Sequence, residues 1–332
     1  MPPMSDHNRR DGYWKYYHLA HTLEKYAIVR NIVDLVKENP PPAVRKKSNR
    51  GRKPVHSWEK MVCVDILMVI LNLTYRDMQN EVPLLKLPWN EPYPDHTWIA
   101  RTFKRIPLEY LESILQKVAV MCVKESGWRN GMLGTDSTGI ETDIYDKKVK
   151  PVKRKGGKRF EEVRMKRFLK WHIIAILDYM VILASSITGS RVHDSPVLRR
   201  MLGKVKNVFD LHGSMMNADG AYDGEANYEL LYNMNIHPNI RQREGSVNKI
   251  LRYRKKASKE FDVDVYHYRG LIEGIFGAEE KADHQLHCRY FIKQNQRRFG
   301  VIKAVGWNLQ VLNRLQCASI LAIKVVPYAI TN

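Results

Sequence analysis

Cysteine is scarce, and its placement is informative. The four cysteines in 332 residues, Cys63, Cys122, Cys288 and Cys317, are widely scattered and form no C-x-x-C pair. That spacing excludes a zinc ribbon and argues against a disulfide framework, so the expected compartment is a reducing one. Long apolar runs are missing too. A membrane-spanning helix needs roughly 18–20 apolar residues. The most apolar stretches, Met61–Leu73 and Val301–Val326, are interrupted by Asp65, Asn72, Lys303, Asn308, Arg314 and Lys324. Met1–Asp11 is polar with two prolines and has no apolar core of a secretory signal. The reading is a soluble intracellular chain with no membrane partner. Acidic side chains are also in short supply. Against 55 Lys+Arg stand 35 Asp+Glu, a formal charge of +20 and a pI near 9.7.

Apolar residues make up 44% and charged residues 27%, which fits a folded globular protein and argues against wholesale disorder. The length gives a prior of about two domains. The excess charge is concentrated. Segment 147–170 carries twelve basic and two acidic residues, 241–259 eight and one, and 43–53 six and none, so the remainder of the chain is slightly acidic. Three such runs point to a polyanion, with nucleic acid first. Basic segments supply affinity through counterion release, with little choice of sequence.

Hydrophobic periodicity and punctuation predict a mostly helical first part. A helix over Tyr16–Lys37 stops at Pro40-Pro41-Pro42, and a basic linker (40–54) follows. Ser57-x-x-Lys60 opens an apolar helix to about Leu73. Thr74-x-x-Asp77 has the capping pattern of a short helix to Val82. Asp95 or Thr97 caps a helix with Trp98, Arg101, Lys104 and Arg105, and Pro107 opens the last helix, to about Glu125. Short capped helices with basic residues on the third fit a helix-turn-helix-like DNA reader, and equally a bundle used for packing.

From Gly131 the texture changes to α/β. Met132–Thr142 reads as a strand, followed by a basic loop. His172–Leu177 and Met180–Thr188 read as a hairpin around Asp178-Tyr179. Pro196–Val205 and Glu225–Met234 are expected helices, Ser214–Asp219 and Ile236–Arg241 strands, and Tyr266–Val326 helical. The fold class is therefore a mixed sheet with helices on its faces (131–326), preceded by the helical domain (1–130).

Three acids stand out by position. Asp136 in GTDSTG lies within the first strand, Asp219 in NADGAYDG ends a later one, and Glu273 in YRGLIEGIFG lies on a helix beyond the strands. Carboxylates on adjacent strands, joined by one from a helix, are what two-metal phosphoryl chemistry requires, with hard oxygens holding two Mg²⁺ ions. Without metal they would repel and raise one another's pKa values. Asp223, four residues on, is the rival to Asp219. His284, His287 and Cys288 have ligand-like spacing but no second cluster to complete a zinc site. His172 at a strand start reads as a structural histidine or a DNA contact, and His193-Asp194 as a turn or helix cap. Trp171 and Trp307 could stack on bases, but aromatics more often serve a core.

The order Asp136, Asp219, Glu273 on this strand plan resembles the DDE transposases of bacterial and archaeal insertion sequences, in the group with a Tyr-x2-Arg-x3-Glu-x6-Lys signature. Tyr266, Arg269 and Glu273 match its spacing. GTDSTGIET, ADGAYDG and RRFGVIKAVGWNLQVL extend the resemblance, as do GRKPVHSWEKM, LTYRDMQNEV and YPDHTWIARTFKRI near the start. The chain departs from the signature once, with Glu280 at the lysine position and Lys281 one residue late, unless the helix bends near Gly277.

The resemblance implies an RNase H-like catalytic core and metal-dependent cleavage and strand transfer at terminal inverted repeats. Asp136 would bridge two Mg²⁺ ions (Mn²⁺ substituting), with Asp219 and Glu273 each completing one site. Tyr266, Arg269 and Lys281 would hold the DNA end. The basic residues Lys153, Arg154, Lys155, Lys158, Arg159, Arg254, Lys255 and Lys256 would contact double-stranded element or target DNA. A homodimer in the prokaryotic cytoplasm, associated with the nucleoid, would follow. The alternatives are a transposase-derived DNA-binding protein that no longer cuts, and an RNase H-like nuclease without strand transfer.

Overall fold

The computed structural model describes residues 7–43, 54–154, 157–243, 252–281, 286–323 and 325, with 7–13, 146–154 and 157–164 described by their backbone alone. All but the ends of the basic linker lies outside the described residues.

The second to fourth helices start where their caps predict, whereas the first begins at His7, ahead of the expected Tyr16. Helix α1 (His7–Glu38) closes as Asn39 donates its backbone N–H and its side-chain amide to the Leu35 carbonyl, just before the prolines. The Ser57 hydroxyl accepts from the Lys60 N–H at the start of α2 (Trp58–Ile70), whose residues from Lys60 to Ile70 are all buried. A helix apolar on every side has to lie inside the protein. Its one buried acid is Asp65, whose burial raises its pKa well above the usual carboxylate range. Thr74 and Asp77 form the reciprocal capping box of α3 (Tyr75–Glu81). Asp95, not Thr97, caps α4 (His96–Phe103), accepting from Trp98 N–H at 2.8 Å. Helix α5 (Leu108–Ser126) follows Pro107 and ends at Gly127, whose φ of +69° suits glycine.

The rest is a six-stranded mixed sheet with helices. In chain order it comprises β1 (Met132–Arg154), β2 (Gly157–Ile176), β3 (Val181–Gly189), α6 (Asp194–Val205), β4 (Met215–Ala218), α7 (Glu225–Asn233), β5 (His237–Ile240), α8 (Arg252–Lys259), α9 (Val263–Tyr266), α10 (Gly270–Lys281), β6 (His287–Cys288) and α11 (Lys293–Ile320). The strand order is β3-β2-β1-β4-β5, antiparallel across β3-β2-β1 and parallel across β1-β4-β5. This is the mixed α/β arrangement expected of an RNase H-like core.

Two expectations change. The basic stretch after Thr142 is no loop, because β1 and β2 stay paired from Leu133–Ile176 outward to Arg154–Gly157, with a register shift between Glu141 and Tyr145. Charged residues there are mixed with Val149, Val152, Phe160 and Val163, a composition that tolerates a strand wherever neither face has to be buried. The final part is also not wholly helical, since β6 pairs with β1 at Glu141–His287 and Thr142–Cys288. Among the described residues no helix is long and apolar enough to cross a membrane.

Helix α11 runs through the core and packs on α1, α2, α5 and β3. One contiguous apolar core therefore joins the N-terminal helices to the sheet. Several buried polar side chains of α11 are matched to backbone. Asn308 accepts from the Ile182 N–H at 2.8 Å and donates to the Ile182 carbonyl at 2.7 Å. Arg298 donates to the Ile106 carbonyl at 2.6 Å. Gly300 permits the approach to β3, because a Cβ there would lie 2.3 Å from Ile187 Cγ1. Gly300→Ala should therefore cost about 1–3 kcal/mol by overpacking. Adding Ile187→Ala should recover part of that loss. Urea unfolding of the two single variants and the double variant checks this, and strict additivity would refute the contact.

Candidate active site

The sheet register brings the first two acids together. Met132 lies opposite Met215 and Gly134 opposite Asn217 on the parallel strands β1 and β4. Carried two residues further, the same offset sets Asp136 level with Asp219 on neighbouring strands. Buried amides pin this part of the sheet. Asn239 donates to Asn217 Oδ1 at 2.8 Å, and Asn217 donates to the Leu133 carbonyl at 3.3 Å. Asp219 follows β4 directly and caps the 3₁₀ turn Gly220–Tyr222, its Oδ1 accepting from Ala221 N–H at 2.8 Å.

Glu273 arrives from the other side. Helix α10 lies against β1 at Gly134, where a Cβ would come within 2.6 Å of Ile272 Cδ1 and 2.8 Å of Leu177 Cδ2. A side chain at 134 would push α10 off the strand. Arg269, in the turn His267–Arg269 before α10, joins the elements. It donates through Nη1 to Asp136 Oδ2 at 2.6 Å and through Nη2 to Glu273 Oε1 at 2.8 Å. The Tyr266 ring lies 6.0 Å from its guanidinium carbon. Asp136, Asp219, Glu273, Arg269 and Tyr266 thus converge from positions up to 137 residues apart in sequence.

Asp136 is the electrostatic centre of this group. Burial raises its carboxyl to about 6, and the charges of Asp219 and Glu273 push the same way, while the Ser137 N–H at 2.8 Å and Arg269 oppose them. Glu273 is 62% exposed at its side chain, so one face of the group opens to solvent. The donor set fits a hard divalent cation, being carboxylate oxygens gathered around a surplus of negative charge. Among the described residues no three such groups already stand close enough to share an ion, and Arg269 supplies the positive charge between two of them.

The other expected residues divide clearly. Asp223 is fully engaged, taking Arg254 at 2.8 and 2.9 Å, the Arg243 N–H at 2.9 Å and the Tyr228 hydroxyl at 3.0 Å. Those donors hold its carboxyl below the usual range despite burial. Arg254 is correspondingly committed to Asp223 and only 16% exposed. Lys255 and Lys256 are exposed on α8, with Lys256 Nζ 4.0 Å from the Tyr232 ring centre. Helix α10 is continuous to Lys281, so no bend returns that lysine to the signature position. Glu280 comes round to within about 20° of the Glu273 direction, and Lys281 lies about 80° away. Lys155 lies outside the described residues, as do the side chains of Lys153, Arg154, Lys158 and Arg159.

His172 is buried and bonds Thr188 at 2.8 Å, which makes it structural. Trp171 and Trp307 are core residues, donating to Ser185 at 2.8 Å and to the Met180 carbonyl at 2.6 Å. His193 precedes α6 without a side-chain cap bond, while Asp194 takes Lys170 at 2.9 Å. His284 lies outside the described residues, His287 pairs with Asp143 at 2.9 Å and Cys288 is buried. One contributor carried no sequence signal. Glu225 accepts from the backbone N–H groups of Tyr253 and Arg254 at 2.8 and 2.9 Å, and so caps the basic helix α8 from 28 residues away.

Folding raises the Asp136 carboxyl from its ordinary value of 3.8 to about 6. Its ionisation therefore lowers the stability of the metal-free protein as pH climbs through that interval. Carboxyl NMR of the metal-free chain should give a midpoint near 6. Arg269→Gln should move the midpoint upward, because a charge favouring the carboxylate is lost. A midpoint near 4 in the wild type would contradict the geometry.

Comparison with known proteins bears on the family. No curated protein matches the chain. Among solved structures, the Mos1 transposase paired-end complex with left transposon end aligns with a TM-score of 0.24 at 9% identity, over 74% of this chain and 83% of that one. The model of the transposase DDE domain family matches residues 134–309. That span starts at the glycine beneath α10, takes in Asp136, Asp219, Arg269 and Glu273, and runs into the buried helix α11. The chain belongs to the transposase DDE domain family.

Proposed function

We propose that the protein cuts DNA at the terminal inverted repeats of an insertion sequence and joins the freed 3′ ends to target DNA. Asp136, Asp219 and Glu273 are its catalytic carboxylates. The observation that carries this reading is the common offset of β1 and β4, which sets Asp136 level with Asp219, together with the Arg269 bridge from Asp136 to Glu273.

Asp136, Asp219 and Glu273 would hold divalent cations, two Mg²⁺ or Mn²⁺ in their place. When bound, these ions acidify the attacking water or hydroxyl and offset charge on the leaving oxygen. The chain's own contributions follow from its geometry. Asp136 is held by the Ser137 N–H, so its carboxylate direction is fixed before any ligand arrives. Arg269 neutralises the acids in the absence of other cations and, once released, can donate two parallel bonds to a DNA phosphate. The Tyr266 ring lies 6.0 Å from its guanidinium carbon. Asp223 holds Arg243 and the start of α8 rather than serving the chemistry, which favours Asp219 as the second ligand.

DNA reading is assigned to residues 1–130, and catalysis to 131–326. What supports the first is α4, packed on α2 and α3 through Ile99, Thr102 and Phe103, with Arg101, Lys104 and Arg105 exposed. Lys255 and Lys256 on α8 add phosphate contacts beside the catalytic face. A homodimer, associated with the nucleoid, would bring two element ends together.

The test is a labelled element-end duplex incubated with Mg²⁺ and the protein. Wild type should release a 3′-hydroxyl and join it to target DNA. Asp136→Asn, Asp219→Asn and Glu273→Gln should each lose more than about 100-fold, since outer-shell changes alone can cost that much. Binding without cutting or joining would refute the reading in favour of a transposase-derived DNA-binding protein. Cutting without joining would make it a nuclease.

Arg269 gives a separate check. Mn²⁺ should bind the DNA-free Arg269→Ala chain several-fold more tightly than wild type in calorimetry, because a competing cation is gone. Weaker binding would mean that Arg269 organises the carboxylates rather than occupying them.

A further inference from the structure

The basic segment that the sequence presents as a loop is a paired ribbon, and its form narrows what it binds. Beyond the register shift, β1 and β2 remain paired through ten rows, from Tyr145–Lys166 to Arg154–Gly157. No third strand accompanies these rows among the described residues. Strand β3 stops at the Leu169–Gly189 row, β4 reaches only Gly134, and β6 meets β1 only at Glu141 and Thr142. The register shift at the base is a place where a ribbon bends away from its sheet. Ten rows span roughly 30 Å.

The sequence on those rows holds nine Lys or Arg against three acids, and the last four rows hold Lys153, Arg154, Lys158 and Arg159 with no acid at all. Cross-strand partners share a face, and faces alternate along a strand. Lys147, Arg164, Lys153 and Lys158 therefore fall on one face and Lys148, Lys150, Arg154 and Arg159 on the other. Neither face is an apolar surface that could bury itself against the protein. A two-stranded ribbon alone is marginally stable in water, so this one needs an external surface, and its charge requires a polyanion. Set against its own counterpart in a second copy, the ribbon would meet like charge.

We propose that the paired strands 145–154 and 157–166 lie in the major groove of duplex DNA, their basic rows meeting its polyanionic backbone. A two-stranded β-ribbon fits a groove about 12 Å wide, whereas the minor groove at about 6 Å does not admit one. The major groove of A-form RNA is too deep and narrow. The proposal rests on the DNA-acting reading above, and adds the contact surface, the groove and the reach. At about 3.4 Å per base pair, the ribbon covers about nine base pairs beyond what the catalytic face touches.

The test uses the full chain with EDTA present, so that cleavage does not enter. Binding to a random-sequence duplex is measured across a salt series for wild type and for K153Q/R154Q/K158Q/R159Q. A second variant replaces 145–166 with an Asn-Gly turn, its fold checked by circular dichroism and thermal melting. The fourfold variant should bind about tenfold or more weakly at moderate salt, and its log-log salt slope should shrink by about 3–4. The shortened chain should lose about nine base pairs from its footprint. Guanine N7 methylation within that stretch should interfere with wild-type binding and leave the shortened chain unaffected.

An unchanged affinity and slope in the fourfold variant would overturn the proposal. So would a shortened chain that dissociates into monomers while keeping its footprint, or equal binding to an A-form RNA duplex. A chain that binds through the ribbon yet never cuts an element end would sink the catalytic reading and leave this one standing.

Discussion

Burial of α11 is the constraint on which the rest of the structure depends. Twenty of its 28 residues are buried, and they include Arg298, Lys303, Asn308 and Asn313. Polar groups survive in such a place only when each finds a partner. Asn308 meets both backbone groups of Ile182, Arg298 meets the Ile106 carbonyl, and Asn313 meets the Ala20 carbonyl at 2.7 Å. Each bond fixes α11 to a different element, so the helix has one admissible position between the N-terminal helices and the sheet. Lys303 extends that position to the catalytic side, pairing at 2.5 Å with the buried Glu279 of α10. The helix that carries Glu273 is thereby held at two places, by Glu279 on α11 and by Ile272 over Gly134 on β1.

Electrostatics explains why this frame matters. Three carboxylates at one end of a sheet are unfavourable neighbours, and the Asp136 carboxyl, raised first by burial, is pushed further up by Asp219 and Glu273. Arg269 offsets part of it with short bonds to two of the acids. The offset works only because β1, α10 and the turn between α9 and α10 are rigidly placed. A second balanced cluster, Asp223 with Arg254 and Arg243, lies a few residues from Asp219 and anchors the start of the basic helix α8 with help from Glu225. Acid that looks redundant in sequence is divided between a solvent-facing group and a closed structural one.

The legible parts of the fold were those governed by neighbours in sequence. Ser57, Thr74 with Asp77, and Asp95 cap helices because a side-chain oxygen reaches an N–H three residues on, and no tertiary contact is needed to decide that. Continuous apolar, β-branched runs marked β2 and β3 near their turn for the same reason. The basic run after Thr142 was read as a loop because charge usually marks solvent. A ribbon with no face to bury escapes that rule, since its pairing is decided by the partner strand and not by hydrophobic pattern. The two-residue β6 is shorter than any periodicity, and although the strand end favoured Asp219 over Asp223, only the structure showed Arg254, 31 residues away, occupying Asp223.

By itself the sequence determined the charge and where it concentrates, the class of the fold, the helix starts, and the order of Asp136, Asp219, Arg269 and Glu273 that marks the family. These depend on composition and on spacings within a turn or a strand. Only the tertiary structure decided which oxygen of Asp136 takes Arg269, that the neighbouring Asp223 is spoken for, and that the densest basic run is a ribbon paired along its length. Those outcomes join residues 31 to 133 positions apart, and such contacts exist only after the sheet register and the buried helix have fixed the distances between them.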